Sequence, residues 1–413
     1  MKIMPRTLKG FRDFLPDEMR KRQYVLTRLK AVFESYGFEP LETPALEYAE
    51  ILTGKYGEEG EKLMYNFKDK GNRNVALRYD QTVPLARVAA QYGSTGSPQA
   101  LPMPFKRYQI QNVWRGENPQ AGRFREFLQC DIDTVGTASL NADAEVIACI
   151  AECLKALGFK NFKILINDRE IFKDIPREAI TVIDKLKKIG EDGIKSELKE
   201  KGFDSNILEN IRTSEPTKRL SQLLSASNLS PLPPKARLAK GGTSQLIFSP
   251  TLARGLSYYT GTIFEIEIDG YSAGSVAGGG RYDELVGMFS DKQIPAVGAS
   301  FGFDRLIEAM DELNLFPKDL QTTKVLVLNL PNLEDKAFEI ADKLRAQGVN
   351  TEVYLDSNIE KGKQFNYAEK KGVPYTIVPN DNDTFTLGFK NENGEIEKVE
   401  NITFDQVLEH LRS

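Results

Sequence analysis

The sequence predicts an α+β chain: an antiparallel sheet flanked by helices, interrupted by a helical insertion and followed by a separate α/β domain. Three patterns carry this expectation. Two runs rich in aromatic and β-branched residues, FKRYQIQNVWR (105–115) and FREFLQCDIDTV (124–135), flank the polar, Gly- and Pro-containing segment 116–123, and read as two antiparallel strands joined by a long loop. From about residue 168 to 240 the chain becomes charged, helical and rich in Lys and Glu, ending in LSPLPPKAR. Beyond residue 323, strand-like and helical segments alternate, the mark of a parallel or mixed sheet in a domain of about 90 residues.

The individual elements follow from local pattern. Residues 17–36 place apolar side chains at 25, 26, 29, 32 and 33, a helical spacing that Gly37 is suited to stop. GFEPLETPALEYAEIL, punctuated by Pro40 and Pro44, reads as extended. ADAEVIACIAECLKALG (142–158) is an amphipathic helix with a glycine stop. After the insertion, 253–268 reads as strand, then a glycine-rich turn, then a strand-into-helix segment at 294–310. The expected division is 1–167 and 241–318 as two parts of one core, 168–240 as the insertion and 322–413 as a separate domain. A chain of 413 residues, at roughly 100–200 per domain, has room for these.

Composition narrows the chemistry. Hydrophobic residues make up 40% and charged residues 28%, as in ordinary globular chains. No apolar run approaches the roughly 20 residues a membrane span needs, and the N-terminus lacks the pattern of a signal peptide, so a cytoplasmic protein is expected. Cys130, Cys149 and Cys153 form no paired C-x-x-C; the last two, one helical turn apart, suit a buried apolar face better than a metal. The single histidine, His410, argues against Ser-His-Asp hydrolysis, histidine-rich metal sites and histidine proton shuttles. Chemistry must then run on carboxylates, arginines, hydroxyls and backbone. A net charge of −4 confines any nucleic-acid contact to local basic patches.

Along the strand 124–135, Arg125, Phe127, Gln129, Asp131 and Asp133 share one face and Phe124, Glu126, Leu128, Cys130 and Ile132 the other. The second set is the more apolar and packs inward; the first suits a binding floor, or equally a solvent-exposed face. Arg115, Glu117 and Arg123 lie in or beside the intervening loop, where two guanidinium groups suit a triphosphate, or a surface salt bridge. Arg254 stands beside Tyr258 and Tyr259, and Gly278, Gly279 and Gly280 precede Arg281 and Tyr282. Such glycines permit close approach to a ligand or a tight turn. There is no Walker pattern and no G-x-G-x-x-G following a strand.

Together these segments resemble the histidyl-tRNA synthetase family of class II aminoacyl-tRNA synthetases, over nearly the whole chain. FRDFLPDEMRKR and ETPALE resemble motif 1, VWRGENPQAGRFREFLQCDID motif 2, and AVGASFGFDRL motif 3. LARGLSYYTG and AGGGRYDELV are similar to the two peptides characteristic of the histidine enzymes. LRYDQTVPLAR resembles their amino-acid-binding segment and KGKQFNYAEKKGVPY their anticodon-binding domain. The resemblance implies a class II synthetase catalytic core with a C-terminal α/β anticodon-binding domain, and a ligase that uses ATP and Mg2+ to join L-histidine to tRNA-His. It implies a homodimer through motif 1.

Residue by residue, it implies that Arg115 holds the ATP α-phosphate and the substrate carboxylate region, and that Glu117 contacts the nucleotide. Arg123 meets the γ-phosphate end, Phe127 stacks on adenine, and Arg305 clamps the triphosphate. Arg254 is the catalytic arginine near the α-phosphate. Histidine falls to Asp80, Thr82 and Gln129 at the α-ammonium end, and to Asp133 and Tyr259, with Tyr258 nearby, at the imidazole; Gln81 is also counted among the histidine-binding residues. No protein side chain is implied as a metal ligand; Mg2+ comes with ATP. Ser257 departs from the family's usual Asp, and Asp80 and Asp133 stand where many bacterial members carry Glu. Lys361, Lys363, Lys370 and Lys371 cluster on one predicted helix, suited to tRNA phosphates or to a solvated face. The rival reading, a histidine-binding regulatory paralogue, generally lacks the anticodon domain, whereas Arg254 and residues 322–413 are both present here.

Overall fold

A computed structural model of the chain describes residues 3–412, apart from 54–56, 94–98, 119–123, 229–243, 255–257 and 392–393. It divides into two compact units, Met1–Phe316 and Pro317–Ser413.

The first unit is built on an eight-stranded sheet. In chain order its strands are β1 (Glu39–Pro40), β5 (Phe105–Trp114), β6 (Glu126–Val135), β7 (Phe162–Asp168), β8 (Ser244–Phe248), β9 (Thr262–Ile268), β10 (Ala277–Arg281) and β11 (Ala296–Gly302). β2 (Leu46–Tyr48), β3 (Asn66–Lys68) and β4 (Asn74–Leu77) form a small separate sheet. The spatial order of the large sheet is β1-β5-β6-β11-β10-β9-β7-β8. The six central strands run antiparallel, as expected, but both edge strands pair in parallel, β1 with β5 and β8 with β7. Each edge strand is separated from its partner by a long stretch of chain, which lets the chain re-enter in the same direction.

Helix Pro16–Ser35 forms where Val25, Leu29 and Phe33 repeat on one face, all fully buried, with Pro16 at its start. Gly37, at φ +76, turns the chain out of it. Helix Leu140–Ala156 is capped by the Ser139 hydroxyl, which accepts from the Asn141 amide at 3.3 Å. It buries Cys149 and Cys153 on its apolar face, as read from the sequence. Both helices share one core with Cys130 and Ile132 of β6, Phe264 and Ile266 of β9 and Val297 of β11. The segment GFEPLETPALEYAEIL is extended only to Tyr48; Ala49–Leu52 is a helical turn with Ala49 and Leu52 buried. Helices Arg177–Ile183, Leu186–Glu200, Ile207–Arg212 and Lys218–Asn228 follow β7. The first three pack into a second core with Leu252, Tyr259 and Ile263, across the sheet from the first.

The glycine triplet is not a turn. Gly278–Gly280 lie within β10, a fully buried strand between β9 and β11. Arg281 ends that strand with its guanidinium buried against Asp143 of helix Leu140–Ala156, and donates further to the Thr137 and Ser139 carbonyls at 3.1 and 3.2 Å. Arg281→Leu leaves the Asp143 carboxylate buried and unpaired, so a loss of about 3–5 kcal/mol is expected, read from urea unfolding.

The second unit carries a mixed sheet of β12 (Val325–Val327), β13 (Thr351–Val353), β14 (Tyr375–Pro379), β15 (Phe385–Lys390) and β16 (Ile396–Ile402), in the order β13-β12-β14-β15-β16. β12 is parallel to both neighbours, through helices Glu334–Ala346 and Lys361–Lys371; β15 and β16 add an antiparallel hairpin that the sequence reading did not place. Helix Phe404–Arg412 follows and carries His410, whose ring lies 6.2 Å from that of Phe389.

Candidate active site

A cleft of about 500 Å³ opens on the face of the main sheet opposite the first core. Phe127, Gln129, Asp131 and Asp133 line it from β6, Gly298 and Ser300 from β11, and Gly278 from β10. The alternation that sends Cys130 and Ile132 into the core sends these odd-numbered residues into the cleft. This face is buried rather than solvated: Gln129, Asp131 and Asp133 retain 8, 2 and 3% exposure.

Within the cleft Asp133 is held from two sides. Tyr282 donates its hydroxyl to Oδ1, and Arg107 of β5 sets Nη2 2.8 Å from Oδ2, off the line of a hydrogen bond. Arg107 is fully buried and stands opposite Asp133 in the β5–β6 register. Burial raises the Asp133 carboxyl above its ordinary range, and Arg107 opposes the rise. Asp131 is pushed up to about 7, chiefly by burial. Tyr258 and Tyr259 also line the cleft, and burial raises both phenols, so they remain protonated donors at neutral pH.

Three arginines also line the cleft. Arg115 follows β5, donates Nε to the Tyr79 carbonyl at 3.1 Å, and lies 5.1 Å from the Phe127 ring centroid. Arg254 pairs with Glu265 of β9 at 3.0 Å. Burial opposes its charge, but Tyr259 and Glu265 outweigh that and hold its pKa above the ordinary value. Arg305, near the start of helix Phe303–Glu312, donates Nη1 to the Ser275 carbonyl at 3.2 Å. Its neighbour Asp304 is gripped by Arg12 and Arg22 at 2.7 and 2.6 Å, which ties that helix to the N-terminal segment. Arg115, Arg254, Arg305 and the Phe127 ring thus line the same cleft as the buried carboxylates and phenols. A cleft carrying both suits a polyphosphate beside a small cationic substrate.

The histidyl-tRNA synthetase family model matches residues 10–306, and an anticodon-binding domain model matches 324–413. The chain belongs to the histidyl-tRNA synthetase family. It is 39% identical to a histidine–tRNA ligase of Cytophaga hutchinsonii over 98% of this chain and 99% of that one. With the corresponding ligase of Aeropyrum pernix the identity is 42%, covering 90% of this chain and 89% of that one. A crystal structure of histidyl-tRNA synthetase from a Nostoc species superposes with a TM-score of 0.80 at 30% identity, covering 100% of this chain and 99% of that one.

For a histidyl-tRNA synthetase family member the cleft gathers most of the residues singled out in the sequence: Thr82, Arg115, Glu117, Phe127, Gln129, Asp133, Arg254, Tyr258, Tyr259 and Arg305 all line it. Asp80 and Gln81 are buried but do not line it. Asp80 Oδ1 accepts the Thr82 and Val83 amides at 3.0 and 3.1 Å, opening helix Thr82–Tyr92, and Gln81 donates Nε2 to the Gln111 and Gln129 carbonyls at 2.8 and 3.2 Å. Arg123 and Ser257 lie outside the described residues. Lys361, Lys363, Lys370 and Lys371 share helix Lys361–Lys371 of the second unit, where Lys371 is already paired with Glu352.

Sequence reasoning gave no site role to Arg107, Tyr282, Glu265 or Asp184, and gave Asp131 only a place on the candidate binding face. Asp131 was visible on the polar face, and folding the 105–135 hairpin about its loop would have set Arg107 against Asp133. Asp184, pushed up to about 6 mainly by burial, enters the cleft from between the helices that follow β7, and no local pattern announces it.

Proposed function

We propose that this chain activates L-histidine with ATP to histidyl-adenylate and transfers the histidyl group to the 3′ end of tRNA-His. The observation that carries this is one cleft that brings Arg115, Arg254 and Arg305 together with a buried Asp133–Tyr282–Arg107 group, Tyr258 and Tyr259, inside a histidyl-tRNA synthetase family chain. The triphosphate lies against Arg115, Arg254 and Arg305, which take its charge, and Phe127 offers a face to the adenine. Histidine lies in the same cleft with its imidazole toward Asp133 and Tyr259. A carboxylate oxygen of histidine attacks the α-phosphorus, the bond to the bridging oxygen breaks, and pyrophosphate leaves. The step needs positioning and charge stabilisation rather than a protein nucleophile, which suits a chain whose single histidine sits in the other unit.

Mg2+ neutralises phosphate charge when it is bound. Among the described residues there is no group of three His, Cys, Asp or Glu able to cage an ion. We read the cation as one that arrives on the ATP phosphates. The second unit reads the tRNA, with Lys361, Lys363 and Lys370 toward its phosphates. The chain pairs as a homodimer through the motif 1 region, a reading supported by Leu15, Leu46 and Tyr48, exposed at 67, 39 and 51%. Among the described residues no helix is long and apolar enough to cross a membrane.

The test is charging of transcribed tRNAs with radiolabelled histidine. Histidylation of tRNA-His alone is expected; no charging of any tRNA, with protein that is folded and binds histidine, would refute the transfer step.

A further inference from the structure

Glu265 holds two cations that come from different parts of the chain. Its Oε1 accepts from Arg254 Nη1 at 3.0 Å, and its Oε2 accepts from Lys187 Nζ at 3.4 Å. Lys187 stands on helix Leu186–Glu200 of the insertion and also pairs with Glu267. The alternation of β9 prepares this meeting. Phe264 and Ile266 enter the first core, while Ile263 joins the second, which the insertion helices build. Glu265 and Glu267 share the face of Ile263, so they lie on the side that the insertion covers. Asp184, at the end of helix Arg177–Ile183 and just ahead of Lys187, lines the cleft together with Arg254 and Glu265.

The position of Arg254 follows from these contacts. Its guanidinium lies directly over Gly278, where a Cβ would strike Nη1, so the backbone of β10 sets its depth. Glu265 stands opposite Gly278 in the β9–β10 register and aims the guanidinium from the side. The two oxygens of a planar carboxylate turn together, so a cation on Oε2 also fixes the direction of Oε1. We infer that Lys187 is a positioning residue for Arg254, acting through the shared Glu265 carboxylate, so that the seating of the insertion sets the rate of adenylation. This deepens the proposed function and rests on its placing of Arg254 against the triphosphate. The charges agree: Tyr259, Glu265, Tyr258 and Asp184 all favour the Arg254 cation, and Asp184 comes from the same insertion as Lys187.

The test is a double-mutant cycle read in histidine-dependent ATP–pyrophosphate exchange. Lys187→Ala is expected to lower kcat about three- to tenfold and to leave the KM for histidine within about twofold. Lys187→Arg keeps a cation on Oε2 and should recover most of the loss. In an Arg254→Ala background, assayed at raised enzyme concentration, Lys187→Ala should lower kcat no further, because the lysine acts only through the arginine. Lys185→Ala is the control: it breaks the Lys185–Glu197 pair inside the insertion without touching Glu265, and should keep the wild-type kcat. Lys187 is exposed, and an exposed ion pair adds little to stability, so the melting temperature of Lys187→Ala should stay near that of the wild type. An unchanged kcat in Lys187→Ala, a full further loss in the Arg254→Ala background, an equal loss in Lys185→Ala, or a collapsed melting transition would each overturn the assignment. Exchange by the wild type separates the two claims. Its absence defeats the function itself; its presence with any of those outcomes defeats only the role of Lys187.

Discussion

Arg254→Ala is expected to lower kcat for histidine-dependent adenylation by about 10²–10³-fold while moving the KM for histidine only a fewfold. Its guanidinium lines the cleft in a fixed orientation, paired with Glu265 at 3.0 Å and packed toward the Tyr259 ring. A preorganised charge of this kind acts on charge that develops at the α-phosphate, so its removal is felt in the transition state more than in substrate binding. Arg254→Lys keeps the charge and loses the fork that reaches Glu265 and phosphate together, so only partial recovery is expected. Steady-state exchange kinetics on the two variants check this; a rise in KM with unchanged kcat would place Arg254 in ground-state binding instead.

Gly279→Ala is expected to destabilise the first unit by about 3 kcal/mol, with an apparent Tm lowered by about 5 °C or more. A Cβ at this position meets the Gly298 carbonyl and the Ala299 Cα, both backbone atoms of β11, as well as the Phe264 ring at 2.8 Å. None of these can yield without parting the sheet. Its neighbours clear different groups. A Cβ at Gly278 would strike the Arg254 guanidinium, and one at Gly280 the Thr262 carbonyl and the Tyr259 ring. Gly278→Ala is therefore expected to spend much of its effect on kcat, through a displaced Arg254, while Gly279→Ala spends it on stability. Differential scanning calorimetry beside exchange kinetics separates the two. The triplet exists because a strand in the middle of the sheet passes beneath an arginine and a tyrosine with no space for side chains.

That outcome shows where the sequence was readable and where it was not. Periodicity located helix Pro16–Ser35, the β5–β6 hairpin and the helix at 140–156, because each buries one face in the way its local pattern demands. It misread Gly278–Gly280 as a turn, since glycine in a buried strand and glycine in a turn look alike until the neighbouring strands are known. The site divided along the same line. Gln129 and Asp133 were visible on their strand, and Arg115 and Arg254 on their motifs. Arg107, Tyr282 and Glu265 act on the site through cross-strand register and tertiary packing, which no single segment encodes. Asp80 shows the opposite case: its motif marked it, and the fold uses one of its oxygens to start a helix.

The most direct measurement is ATP–pyrophosphate exchange with the purified chain, Mg2+ and each of the twenty amino acids in turn, without tRNA. Exchange with histidine alone is expected, because an imidazole side chain matches the buried Asp133 carboxylate and the phenols that line the cleft beside it. Exchange driven by another amino acid, or none with any of them from folded protein, would contradict it.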